Sequence, residues 1–132
     1  MKRRQALLLT GSALTVGGCL GIGKQRQARL AYIWLVNDRD ETYEVDVVVE
    51  DDGETVFTEL FELGTEREAA NVDVESPVDG LGRYVVRATM DGETREVNSI
   101  DVIDEDETCV GVKFVLLNNG TVDYSTESIQ QC

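Results

Sequence analysis

Apolar and polar positions alternate with a period of two in several short blocks along this chain. Tyr43, Val45, Val47 and Val49 are interleaved with Glu44, Asp46, Val48 and Glu50. In a strand this puts the first set on a buried face and leaves an acidic face outside. Tyr84, Val86, Ala88 and Met90 alternate with Val85, Arg87 and Thr89, and Val110, Val112, Phe114 and Leu116 alternate with Gly111, Lys113 and Val115. Residues 30–36, LAYIWLV, form a continuous apolar run, the pattern of a strand buried on both sides or at the core centre. Residues 56–63, VFTELFEL, are strand-like, but the pattern does not decide which side faces inward. Residues 72–74, 95–103 and 121–125 are weaker strand candidates. No stretch sustains the helical period of 3.6.

Turn chemistry joins these blocks. Asp52-Gly53, Asp91-Gly92 and Asn119-Gly120 each sit between strand-like segments. Such dipeptides tolerate positive φ and predict two-residue hairpins. Seven or eight short strands at about ten-residue spacing predict an all-β fold, an antiparallel sandwich. The pattern resembles the immunoglobulin-like and fibronectin type III-like sandwiches in architecture. The Cys…Trp…Cys signature of antibody domains is absent, because Trp34 precedes both Cys109 and Cys132. A small closed barrel is the alternative.

The start of the chain has a different character. Lys2, Arg3 and Arg4 precede Leu7-Leu8-Leu9, and a Gly-, Ser- and Thr-rich stretch runs on to Gly18. This is the layout of an export signal, and its apolar part is too short for a span of about 20 apolar residues. The Arg3-Arg4 pair resembles a twin-arginine signal. Ala6 stands where that signal usually has a larger apolar residue, so export of the unfolded chain stays open. Val16-Gly17-Gly18-Cys19 resembles a lipobox: small residues admit a peptidase, and the thiol of Cys19 accepts the lipid. More than one lipid chain is needed for stable anchoring. These features resemble lipoprotein precursors, and together with the acidic remainder, those of halophilic archaea. The resemblance implies a signal over 1–18 and a lipidated tether over 19–29, and the strand pattern puts the β-sandwich over 30–132. It places the protein on the outer face of the cell membrane, with membrane lipid as partner through Cys19. The tether carries Lys24, Arg26 and Arg29 and no acid, which suits anionic headgroups.

Charge narrows the picture further. The 132 residues carry 26 acidic and 12 basic side chains, a net charge of −14. Loss of Lys2, Arg3 and Arg4 with the signal leaves 9 basic against 26 acidic, a net charge of −17. A surface of this sign repels nucleic acid. High acid with only three lysines, Lys2, Lys24 and Lys113, resembles proteins adapted to molar salt, where a Debye length of about 3 Å screens self-repulsion.

With Cys19 lipidated, Cys109 and Cys132 form an even pair in an oxidising compartment. A bond between them closes a loop of about 24 residues, worth roughly 3 kcal/mol in the chain-entropy model. Free thiols or a redox pair are the competing readings.

Catalytic chemistry is hard to find. The chain has no histidine, which excludes Ser-His-Asp and Cys-His mechanisms and a blue-copper site. No Gly-rich phosphate loop is present. The acidic runs at 50–54 and 104–107 do not match EF-hand spacing and read as solvated loops, so no metal and no cofactor is expected. Asn119-Gly120-Thr121 is an N-glycosylation sequon, and the same residues make a good hairpin turn without modification. The leading expectation is a non-enzymatic binding or accessory domain of the cell envelope, contacting another envelope protein or a small ligand. A purely structural envelope component and a small carboxylate enzyme are the alternatives.

Overall fold

Each block of alternation becomes a strand because only one of its faces can be buried. The computed structural model describes residues 26–103, 108–130 and 132. The expected signal over 1–18 with Arg3 and Arg4, the expected lipid acceptor Cys19 and the acidic run 104–107 lie outside the described residues. Eight strands follow in order: β1 (Arg29–Asn37), β2 (Tyr43–Asp51), β3 (Glu54–Leu63), β4 (Asn71–Glu75), β5 (Tyr84–Met90), β6 (Glu93–Asn98), β7 (Cys109–Leu116) and β8 (Val122–Ile129). One helical turn, α1 (Arg67–Ala70), precedes β4, and a 3-10 turn at Ser99–Asp101 follows β6.

The strands form two four-stranded sheets with orders β4-β1-β7-β8 and β3-β2-β5-β6. This is the expected all-β sandwich rather than a closed barrel. All pairings are antiparallel except β1 with β7, which run parallel. The inner faces supply the core: Ile33 and Leu35 of β1, Val45, Val47 and Val49 of β2, Val86 and Ala88 of β5, and Val110, Val112, Phe114 and Leu116 of β7. Val122 of β8 and Val97 of β6 continue it towards the sheet edges.

β1 is the central strand the apolar run predicts, but its outer face is only half-buried. A register shift between Leu30 and Tyr32 keeps Leu30, Ile33 and Leu35 inward and turns Tyr32, Trp34 and Val36 outward. The ambiguity of β3 has a similar cause. Its register shifts opposite Val49 and Glu50, leaving Val56 unpaired in the ladder. Phe57, Phe61 and Leu63 then pair with Val49, Val45 and Tyr43 and pack on the core, with Glu59 between them opposite Val47. An inward-side carboxylate and a bulge are devices that discourage pairing along an open sheet edge.

Two of the three predicted tight turns have the expected geometry. Asp52 and Gly53 have φ of 55° and 90°, and Asp91 and Gly92 have 51° and 78°, as a two-residue turn with positive φ at both centres demands. The third differs. Gly120 N–H donates to Leu117 O at 3.1 Å and Leu117 N–H donates to Thr121 O at 2.9 Å, and in this loop only Gly120 has positive φ. That is a longer hairpin with the glycine in the left-handed position.

The segment read as tether gives up its last residues to the domain. Arg26 Nη2 donates to Ile103 O at 2.6 Å, Ala28 pairs with Gly82 and is fully buried, and Arg29 opens β1.

Candidate functional site

Strand directions sort the loops into two ends. The first end holds the start of β1, the β2–β3 hairpin, the β4–β5 and β6–β7 connections, and Cys132. Here the Sγ atoms of Cys109 and Cys132 are bonded, with Cα atoms 6.1 Å apart, inside the range disulfides allow. The opposite end holds the β1–β2, β3–β4, β5–β6 and β7–β8 connections. The described chain begins at the first end, with Arg26, and the second, free end carries only strand connections among the described residues.

The free end is built around two buried polar residues, Asn37 and Arg39. Asn37 Nδ2 donates to the carbonyls of Glu41 (2.8 Å), Leu63 (3.3 Å) and Gly64 (2.9 Å), and its Oδ1 accepts from Arg39 N–H at 3.1 Å. One side chain thereby ties the β1–β2 loop to the end of β3. Arg39 is only 8% exposed. Its Nε donates to Leu117 O at 2.8 Å, Nη2 reaches Thr121 O at 3.5 Å, and Nη1 lies 3.6 Å from the Asp91 carboxylate. Its guanidinium sits 4.4 Å over the Tyr43 ring, a cation–π contact. A buried cation is costly unless its donors are used, and here they bind three loops into one surface. Sequence reasoning misses this role, because Arg39 lies among Asp38, Asp40 and Glu41 and reads as part of a solvated turn. Its being the lone cation in that run was the available signal.

On the outer face of the β4-β1-β7-β8 sheet, Tyr32 covers Gly111 and its hydroxyl donates to Glu127 Oε1 at 2.8 Å. The Tyr32 phenol is pushed up to about 12 by burial first, then by this hydrogen bond and by the charges of Glu127 and Asp73. Next to it, Lys113 Nζ sits 4.2 Å over the Trp34 ring, and Trp34 Nε1 donates to Asn71 Oδ1 at 3.2 Å. These contacts link strands within the sheet.

Grooves are shallow. One of about 370 Å³ runs along the open edge between β6 and β8 and is lined by Glu96, Val97, Asn98, Tyr124 and Thr126. A smaller one of about 170 Å³ lies beside Arg29, Ser76 and Cys132. Among the described residues no three Asp, Glu or Cys side chains come close enough to hold a metal ion. The run at 50–54 forms the β2–β3 hairpin, with Glu50 paired to Arg87 at 2.9 Å and Asp51 Oδ1 accepting from Arg83 N–H. Among the described residues, no helix is long and apolar enough to cross a membrane.

At the first end, Tyr84 opens β5 and its hydroxyl donates back to Asp79 O at 3.0 Å and Gly80 O at 2.9 Å. Burial, with the charge of Asp51, raises its pKa. A tyrosine near the start of a strand bonding to backbone just upstream is a hallmark of immunoglobulin sandwiches. The model of the halobacterial Ig-like domain matches residues 41–130. The chain belongs to the halobacterial Ig-like domain family. No curated protein and no solved structure matches it.

Seen as an Ig-like domain, β1 to β6 take the places of strands B, C, C′, E, F and G, with B and E in one sheet and C′, C, F and G in the other. The place beside B that strand A fills in antibody domains is taken by β7, from the other end of the sequence and parallel to β1. The match begins in the β1–β2 loop, so β1 lies outside it although both β4 and β7 pair with that strand. The Ig-like fold by itself assigns no reaction.

Proposed function

We propose that this Ig-like domain is a lipid-anchored, non-enzymatic module of the cell envelope, held by lipid on Cys19 and offering its free end to another envelope protein. The observation that carries the reading is the separation of the two ends. The chain entry and the Cys109–Cys132 bond share one end, while Asn37 and Arg39 fix four loops at the other. From Cys19 to Arg26 an extended chain spans about 24 Å, and a nine-residue strand adds about 30 Å. The free end thus stands clear of the headgroups. Its loops carry Asp38, Asp40, Glu41, Glu66, Glu68 and Asp91, so the complementary partner presents a basic face.

Site-specific photo-crosslinkers at Asp40 and Glu66, compared with one at Asp52 on the tethered end, test this in intact envelopes. Discrete adducts from Asp40 and Glu66 and none from Asp52 support it. Equal labelling from both ends, or none from either, favours a purely structural component. Anchoring has its own test. Cys19→Ser should leave the protein uncleaved or released, and unchanged mobility and membrane retention would remove Cys19 as the anchor. Exchange of Arg3 and Arg4 for lysine should block export on the twin-arginine route. Normal export of that variant assigns the unfolded-chain route instead.

A further inference from the structure

We infer that Asn119 is a glycan acceptor, modified on the folded domain at the end away from the tether. The inference rests on the extracytoplasmic reading above. Five asparagines occur in the chain, and only Asn119 is followed by the x-Thr pattern of a sequon. The structure separates it from two of the others in a second way. Asn37 Nδ2 is spent on three carbonyls and Asn71 Nδ2 donates to Arg67 O, whereas Asn98 engages only its oxygen, which caps Ile100 N–H, and is followed by no sequon. Asn119 uses only its oxygen. Oδ1 accepts from Thr121 N–H at 3.0 Å and from Thr121 Oγ1 at 2.7 Å. Its Nδ2 has no protein partner among the described residues, and the residue is exposed at the hairpin tip.

The loop is also held in place. Arg39 binds the carbonyls of Leu117 and Thr121 from below, and Gly120 at φ 92° makes the sharp turn that sets Thr121 back against Asn119. The two residues a glycosyl transferase must read together are therefore already adjacent in the folded state. A chain exported folded offers only exposed acceptors, and this one qualifies.

The donor class is an oligosaccharide linked to a lipid phosphate. Nδ2 forms the bond to the anomeric carbon of the first sugar. The bond from that carbon to the phosphate oxygen breaks, the lipid phosphate leaves with the electron pair, and the amide gives up one proton to solvent. No oxidant or reductant is involved.

The test is mass spectrometry of the full chain made in a salt-adapted archaeal host. The peptide containing Asn119 should carry a mass increment of whole sugar residues. Asn119→Gln and Thr121→Val should lose it, and Thr121→Ser, which keeps the hydroxyl, should retain it. Thr121→Val preserves shape and the backbone donor, so its loss reports on acceptor chemistry and not on folding. A wild-type protein with the Cys109–Cys132 bond formed and Asn119 bare would overturn this inference alone. A protein found reduced in the cytosol would overturn the extracytoplasmic reading as well, and the state of the disulfide tells the two failures apart.

Discussion

The ring of Tyr32 occupies the space in which a side chain on Gly111 would sit. A Cβ built on Gly111 runs into the ring carbons and hydroxyl of Tyr32, which pairs with it across the parallel ladder. Glycine in the middle of a strand loses packing and costs conformational entropy, and the overlying ring recovers the packing. Gly111→Ala should therefore destabilise the domain by about 1–3 kcal/mol through overpacking. In a Tyr32→Ala background the same change should cost far less, because the obstacle is gone. Denaturant midpoints for the two single variants and the double variant give the coupling. Additive effects would show that the ring moves aside freely.

Tyr32 also sets a pH dependence. Its phenol lies near 12 instead of the usual 10 because burial and the bond to Glu127 favour the neutral form. The folded state thus holds the proton more tightly than the unfolded chain does. The stability this contributes is complete below pH 10 and is lost as pH rises from 10 to 12. Phenolate absorbance of the wild type minus that of Tyr32→Phe should show a titration near 12. Glu127→Gln should lower it only partly, since burial is the larger cause. A difference titration centred at 10 would remove the hydrogen bond and burial as determinants.

At the free end, Arg39 and its charged partner should respond unequally. Arg39→Ala strips Leu117 O of its donor and Tyr43 of its cation, and opens a buried volume. Loss of a satisfied buried donor set of this kind costs about 2–4 kcal/mol. Asp91→Asn should cost under about 1 kcal/mol, because the Asp91 side chain is 59% exposed and 3.6 Å away. Comparable losses for the two variants would make the ion pair, rather than the carbonyl contacts, the main tie between the loops.

How far the sequence reveals these features depends on whether a residue's role is written in its neighbours. β2, β5 and β7 are legible because every second residue, from Tyr43 to Val49, Tyr84 to Met90 and Val110 to Leu116, is apolar and points inward. β3 is not, because the bulge at Val56 shifts the phase and Glu59 sits on the inner side at an open edge. The parallel pairing of β1 with β7 is invisible, since periodicity states which face is buried but not which strand lies alongside. Asn119-Gly120 is legible as a turn. Its loop length is not, because the choice rests on the bonds of Leu117 with Gly120 and Thr121. Arg39 is missed because its burial comes from loops distant in sequence.

Salt tests the charge argument most directly. Among the described residues only Glu50, Asp91, Glu93 and Glu96 lie within ion pairs. Glu44 and Asp46 project exposed from the outer face of β2, and Glu44 stands directly opposite Glu62 on β3. Like charges facing across a ladder are destabilising by some tenths of a kcal/mol. A net charge of −14 on the full chain adds a diffuse repulsion. Both are solvent-side effects, so both should fall as the Debye length shrinks from about 30 Å at 0.01 M to about 3 Å at 1 M salt. Thermal unfolding of the oxidised protein should therefore shift upward steeply over that range at pH 7. At pH 5 the low-salt melting temperature should rise, since partial protonation of carboxylates also relieves repulsion. Glu62→Gln should stabilise the domain at low salt by up to about 1 kcal/mol and leave it unchanged at 1 M. The single substitution separates local from diffuse repulsion: a benefit that persists at high salt would trace to packing and not to charge. A melting temperature independent of salt at pH 7 would mean that the surface is already balanced locally, and the physical basis for reading this acidic composition as salt adaptation would be gone.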